Sequence, residues 1–506
     1  MNFILTNINE FEMAKPASVL YVSTEVSPFA KTGGLADVAN ALPISLFNSG
    51  VEIRVVMPKY GFISERRSRL HEVIRLKDIP VSLNGEIRKI NVRVGVLPET
   101  RVQVYFIDNE EFFKRDSLYT NPKTQADYED NHVRFAFFAK SVFEMLKRLG
   151  WQPNIIHCNE WHTGLIPLFL KTHYKNDEFF AHAKTLFTVH NTAYQGIFPS
   201  SCASEIDIPQ EYQTEDGVLH NGNLNFLKAG VQYAEYVNTI SDFYAKETRS
   251  NEELTGGLAQ VFESRGSHYS GVGNGIDFKV WNPEIDKSIP ANYSFDHLTG
   301  KAECKKAIVE KLGLPYSEHT PVLGIVTRMV ELKGIDLMIE ALPELLQKDL
   351  QIVFMGQGEE KYQKVLESLK SKFPGKMGIL FSHDQAVAHM VFAGADIFLM
   401  PSRFETSATS HLQALRYGTV PIVKETGSLA DTVCDVRDGS GKNANGYKFR
   451  QYSKESFLES VNHSLELFKN REKWLHLMEK GMHADFSWEN TAAGYSALYK
   501  KILKEK

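Results

Sequence analysis

Short apolar runs recur along this chain, each followed by a stretch with helical periodicity, and that alternation restricts the fold more than any other feature. The first run, Val19-Leu20-Tyr21-Val22, precedes a segment that presents Leu35, Val38, Leu42 and Leu46 at helical spacing and ends near Gly50. Val51-Glu52-Ile53-Arg54-Val55-Val56 follows. Strand, helix and strand in that order form a βαβ unit, which demands a parallel sheet covered by helices on both faces. Residues 102–106, 155–157, 185–189 and 237–240 read as further strands of a first doubly wound domain. Residues 248–270, rich in Gly, Ser and charge, interrupt the pattern and lead into Gly273-Asn274-Gly275-Ile276-Asp277, so a boundary belongs there. Beyond Pro321 the alternation resumes with strands at 322–326, 351–355, 397–400 and 420–423. The expected architecture is α/β, with two Rossmann-like domains, residues 1–255 and 270–485, facing across a cleft at the carboxyl ends of their strands.

A chain of 506 residues exceeds what one core serves, which agrees with two large domains. The net charge of −5 rules out a protein-wide field for nucleic acid, so any anion site must be built locally. Four scattered cysteines, Cys158, Cys202, Cys304 and Cys434, with no CxxC spacing, read as a reducing compartment without a metal knuckle. The opening dozen residues carry Glu10 and Glu12 ahead of Lys15 and read as a loose extension, neither signal peptide nor anchor. No apolar run of about 18 residues follows, so no membrane partner is expected and the cytoplasm is the default location.

The turn after the first strand is Lys31-Thr32-Gly33-Gly34-Leu35-Ala36-Asp37-Val38. Two glycines give access to positive φ and let a ligand approach the backbone, where the first N–H groups of a helix point outward unpaired. Lys31 adds a mobile cation, which suits a diphosphate or a nucleotide sugar. A plain βα turn, its glycines relieving crowding, fits the same residues.

Other strand ends carry matching chemistry. His190-Asn191-Thr192-Ala193-Tyr194-Gln195-Gly196 offers donors, acceptors and an aromatic ring to sugar hydroxyls and apolar sugar faces, or forms a structural turn in which His190 bonds a backbone carbonyl. Arg328 and Lys333, with Gly334 next, place two cations where a leaving diphosphate gathers charge, or make a solvated surface pair. Pro401-Ser402-Arg403-Phe404-Glu405 brings a carboxylate to the cleft, either for sugar hydroxyls or to complement its own helix dipole. Thr406-Ser407-Ala408-Thr409-Ser410-His411 then sets small hydroxylated residues at a helix start, either to cap the helix or to bind phosphate.

Taken in order, these stretches resemble the bacterial glycogen synthases and plant starch synthases, glycosyltransferases of the GT-B fold. The resemblance spans nearly the whole chain: Lys31 to Val38, His190 to Gly196, Asn221-Gly222 with Phe226 to Gly230, Asn274 to Asp277 with Trp281-Asn282-Pro283, Arg328 with Lys333-Gly334, Pro401 to Glu405, Tyr417-Gly418-Thr419 and Asp485-Phe486-Ser487-Trp488. It implies transfer of glucose from ADP-glucose to an α-1,4-glucan such as glycogen, with retained configuration and no metal or cofactor. Lys31, Gly33 and Gly34 would contact the donor diphosphate, with Asp37 close to the nucleotide. Arg328 and Lys333 would neutralise departing ADP, Glu405 would face the glucose ring, and Asp130 matches a position near the transferred sugar. Asn159, His162, His190, Asn191, Tyr194, Gln195, Asn274, Thr409 and Ser410 complete the substrate-binding set. The last segment, 486–506, is expected to carry a helix crossing back onto the first domain.

The chain also departs from the family pattern. Thr406-Ser407-Ala408-Thr409-Ser410-His411 replaces the usual Pro-Cys-Gly-Leu-Thr-Gln, Ser428 replaces a second glycine, and Asn159-Glu160 stands where relatives show His-Asp. If the lost glycine holds positive φ, Ala408 costs on the order of 1 kcal/mol or forces the loop to shift. These changes leave two alternatives to an active ADP-glucose enzyme: altered nucleotide-sugar preference, or a glucan-binding homologue with little turnover.

Overall fold

The computed structural model describes residues 17–406, 408–439 and 441–505; the N-terminal extension and Ser407 lie outside the described residues. Two sheets form the two lobes. The first has ten strands, of which nine matter for the site: β1 (Ser18–Val22), β2 (Glu52–Pro58), β3 (Ile79–Leu83), β4 (Glu86–Val96), β5 (Gln103–Asp108), β6 (Ile155–Asn159), β7 (Lys184–Val189), β8 (Tyr236–Thr239) and β9 (Tyr269–Gly271). Seven run parallel in the order β9-β8-β7-β6-β1-β2-β5. The second sheet is wholly parallel, β12-β11-β10-β13-β14-β15, formed by β10 (Val322–Val326), β11 (Gln351–Met355), β12 (Met377–Leu380), β13 (Ile397–Met400), β14 (Val420–Lys424) and β15 (Tyr447–Phe449). That order is the doubly wound one in which the chain reverses direction between neighbours β10 and β13.

Two expectations need correction. The first sheet is mixed, because β3 and β4 add an antiparallel hairpin beyond β5. Its turn is Asn84-Gly85, both at positive φ (52° and 72°), and β3 alternates buried and exposed residues, the pattern of a half-exposed hairpin strand. Residues 248–270 do not lie between lobes: they end in β9, which pairs with β8 and carries the first lobe past residue 255 to Gly271.

α1 (Gly34–Asn48) follows β1, and α2 (Asn131–Leu149) buries Phe135, Phe138, Val142 and Leu146 beneath the sheet. The last helix, α6 (Trp488–Lys504), returns from the second lobe and packs on α1, burying Tyr495, Leu498, Tyr499 and Ile502 among Val19, Tyr21, Ala39 and Leu42. The Tyr499 hydroxyl lies 2.8 Å from His157 Nδ1, while His157 Nε2 lies 2.6 Å from Thr188 Oγ1. Burial holds that imidazole down to about 3, hence neutral.

The lobes also exchange helix caps. From α3 (Asp242–Ser250) in the first lobe, the Glu247 carboxylate accepts from Thr426 Oγ1 (3.0 Å) and Gly427 N (2.7 Å), at the start of α5 (Gly427–Thr432). Asp431, on α5, accepts in return from Ser241 Oγ (2.6 Å) and Phe243 N (3.0 Å) at the start of α3. Each acid satisfies orphan donors of the other lobe's helix, which sets how the two halves of the cleft meet.

Candidate active site

The reversal between β10 and β13 opens a crevice at their carboxyl ends, and the loops leaving those two strands supply its polar groups. Arg328 follows β10, and Lys333 sits on a 3₁₀ turn, Glu331–Lys333, that ends at Gly334. Gly334 has φ 73°, and a Cβ there would stand 2.0 Å from the Pro401 carbonyl oxygen, so only glycine lets the two loops touch. The contact brings Lys333 Nζ to 2.5 Å from Glu405 Oε2, where Ser402 Oγ also donates at 2.9 Å. Glu405 is only 4% exposed, and these two donors hold its buried carboxylate. A cavity of about 300 Å³ opens beside the pair, lined by Gly34 from the first lobe and by Arg328, Lys333, Glu405, Thr409 and Ser410 from the second.

On the first lobe, the turn after β1 differs from expectation. Neither glycine uses positive φ; Gly33 is extended, φ −151° and ψ −164°. A Cβ at Gly33 would meet nothing within 4 Å, so the glycine leaves open space rather than a special backbone shape. The N–H groups of Thr32 (2.5 Å) and Gly33 (3.2 Å) are not free either, because both donate to buried Glu25, which also accepts from Thr32 Oγ1 and Tyr119 OH. Glu25 thus holds the turn in shape, and donor groups for a ligand begin at Gly34. Lys31 donates to Asp37 at 2.7 Å with both side chains half exposed, a pair cheap to open toward an anion.

The other side of the first-lobe crevice starts at β6. Glu160 ends that strand at φ 62° and ψ 166°, a region that costs a non-glycine residue on the order of 1–3 kcal/mol. Its buried carboxylate accepts from the backbone of His190 (2.6 Å) and Asn191 (3.0 Å), fixing the sugar-type loop. Burial drives the Glu160 acid up to about 8 despite those two donors, with Glu25 nearby adding to the rise. His190 Nε2 lies 3.1 Å from Asn159 Oδ1, and burial pushes its ring down to about 4. His162 is stacked between Trp161 (3.8 Å) and Tyr119 (4.3 Å), and both its ring nitrogens are buried without a partner among the described residues.

Asn159 and Gln195, expected among the substrate-binding residues, make their hydrogen bonds inside the fold. Asn159 is fully buried and spends its amide on Val22 O and His157 O and its oxygen on Tyr21 OH and His190. Gln195 donates to Thr192 O and Thr255 O and accepts from Asn225. Tyr194 is 65% exposed, and Asn191 turns its side-chain oxygen to Ala193 N. Asp130 does not line the cavity and pairs with the Arg115 guanidinium through both carboxylate oxygens. Asn274 faces a second, smaller space between the lobes with Ser241, Ala408, Ser428 and Asp431, its Oδ1 unpartnered. Glu25, Glu160 and Ser402 went unread as site residues, although each is a polar residue within a few positions of a strand's carboxyl end.

Residues 18–264 match the family model described as starch synthase catalytic domain, and residues 310–476 match glycosyl transferases group 1. A glycogen synthase of Chlorobium limicola is 39% identical over 96% of this chain and 99% of its own length. Glycogen synthase 2 of Geobacter sulfurreducens is 41% identical over 95% of this chain and 98% of its own. The chain belongs to the glycogen synthase family. Among solved structures, the catalytic domain of starch synthase IV from Arabidopsis thaliana, bound to ADP and acarbose, is similar with a TM-score of 0.83 and 29% identity, covering 97% of this chain and 100% of that one. Membership makes the fold GT-B and the chain a glycosyltransferase.

Proposed function

We propose that this glycogen synthase works through a cleft site completed by both lobes, moving glucose from ADP-glucose to the non-reducing end of an α-1,4-glucan with retained configuration. The observation that carries this reading is the cavity flanked by Gly34 on one side and Arg328, Lys333 and Glu405 on the other. A diphosphate spanning it would meet open space at Gly33, the backbone of Gly34 and two cations opposite. As the glycosidic bond to phosphate lengthens, Arg328 and Lys333 take up the growing negative charge. Glu405, held by Lys333 and Ser402, faces the sugar and keeps the ammonium fixed before reaction begins. The leaving phosphate, on the same face as the acceptor's 4-hydroxyl, accepts its proton. The second lobe forms the donor side and the first lobe the acceptor side, where His190, Asn191, Tyr194 and His162 meet the glucan. Asp37 and Lys31 close on the nucleotide end, and Asp130 and Asn274 bear on the site from its rim. The enzyme is read as cytoplasmic; its four cysteines are free, and no helix among the described residues is long and apolar enough to cross a membrane.

A second reading, altered donor preference, draws on one observation. His411 stands where relatives carry glutamine, is fully buried, and is held neutral near 3 with Nε2 at 2.7 Å from Thr432 Oγ1. Release of ADP from ADP-glucose with glycogen present, set against UDP release from UDP-glucose, separates the readings. Faster turnover of ADP-glucose supports the first, faster turnover of UDP-glucose the second, and glycogen binding without release of either nucleotide contradicts both.

A further inference from the structure

His132, Cys202 and Glu205 lie together on the first lobe. Each offers one ligand atom, and the three atoms lie within 4.8 Å of one another. His132 stands in the first turn of α2, while Cys202 and Glu205 are three residues apart on the 3₁₀ segment Ser200–Ile206. His132 Nε2 is 3.0 Å from Glu205 Oε2. The imidazole is 7% exposed and Cys202 9%, whereas the Glu205 carboxylate is half exposed, so solvent reaches the group from one side.

A simple ion pair does not account for the whole arrangement. The ion would bond to Nε2, the ring nitrogen that faces Glu205; Nδ1, buried with no partner among the described residues, points away from that carboxylate. A sulfur ligand adjoins the same ring, and imidazole, thiolate and carboxylate together are the ligand set of a borderline-soft divalent ion. At bond lengths of about 2.0–2.3 Å, ligand atoms in a tetrahedron stand about 3.3–3.8 Å apart, so the present spacing needs only a modest contraction, available to the exposed glutamate.

We propose that His132, Cys202 and Glu205 bind one zinc-class divalent ion, with water in the fourth position. Binding forms one bond each to nitrogen, sulfur and oxygen, and the Cys202 thiol gives its proton to solvent as its sulfur becomes a ligand. The ion would clasp the start of α2 to the segment that follows β-strand Ile197–Pro199, just beyond the loop 190–196. None of the three lines the cavity that holds Lys333 and Glu405, and the test is independent of turnover.

The full-length protein, stripped with chelator and carrying Cys434→Ser to remove the exposed thiol, is titrated with Co²⁺. The expected result is saturation at one equivalent, with a thiolate-to-cobalt charge-transfer band and the visible bands of a four-coordinate ion. Cys202→Ser should abolish the charge-transfer band, and Glu205→Ala, at an exposed position that tolerates substitution, should weaken binding about tenfold or more. Zn²⁺ should raise the melting temperature of the parent more than that of Glu205→Ala. A parent without the charge-transfer band, a band that survives in Cys202→Ser, or equal affinity in Glu205→Ala would overturn the proposal.

Discussion

Lys333 and Glu405, on loops that leave neighbouring strands, meet at 2.5 Å beneath the cleft, and the ammonium is held by a carboxylate that is itself almost wholly buried. Removing one partner leaves the other desolvated. Lys333→Met is therefore expected to lose on the order of 3–5 kcal/mol of stability, Glu405→Gln less, and the double variant less than the sum of the two. Chemical denaturation of all four proteins measures the coupling; additive losses would show that the pair is not held as described.

Two glycines near the site are expected to respond in opposite ways to alanine. At Gly427, φ is +48° and a Cβ would fall 1.7 Å from the Glu405 carbonyl oxygen, so Gly427→Ala must displace the Glu405 loop. Both melting temperature and kcat should fall. At Gly33 a Cβ meets no protein atom, so Gly33→Ala should keep its melting temperature and instead raise the KM for ADP-glucose. An unchanged KM in Gly33→Ala would mean that the open space there does not receive the donor.

Glu160 links pH to stability. Its acid titrates near 8 in the folded protein against an ordinary 4.5, so between those values the folded state keeps a proton that the unfolded chain has released. Stability from this group is therefore lost as pH rises from about 4.5 to about 8. Glu160→Gln cannot titrate and should gain on the parent as pH rises through that window. Denaturation midpoints taken at about pH 5 and about pH 8.5 test it; a difference between variant and parent that does not change with pH would refute the assignment.

The returning C-terminal helix is tied to the first sheet through the Tyr499 hydroxyl and His157. Tyr499→Phe keeps the ring and leaves His157 Nδ1 buried without its partner, so a loss of about 1–3 kcal/mol is expected. Urea denaturation gives the number; a change within error would show that the helix is held by its apolar face alone.

The strands of the second lobe were readable to the residue at Val322–Val326, Gln351–Met355 and Ile397–Met400, because each is a buried apolar run bounded by polar turns. Arg328, Lys333 and Glu405 were readable for the same reason: strand ends of a doubly wound sheet are where ligands bind. What stayed hidden depends on contacts between distant segments. Nothing local to Asn159 or Gln195 says that every polar atom is already spent inside the fold, nor that Glu25 occupies the N–H groups at Thr32 and Gly33. The exchange of caps joins residues 179 to 190 positions apart, from Thr426 Oγ1 on Glu247 to Ser241 Oγ on Asp431. His132 and Glu205, 73 positions apart, could not be read from spacing as one cluster. The Asn84-Gly85 hairpin, by contrast, was a local signal that the parallel reading passed over.

The most direct test of the central claim is release of ADP from ADP-glucose in the presence of glycogen by the native chain, Lys333→Ala and Glu405→Ala. A site completed by both lobes predicts robust release by the native chain and a fall on the order of 10²–10³ in kcat for each variant. Native turnover no greater than that of the two variants would contradict it.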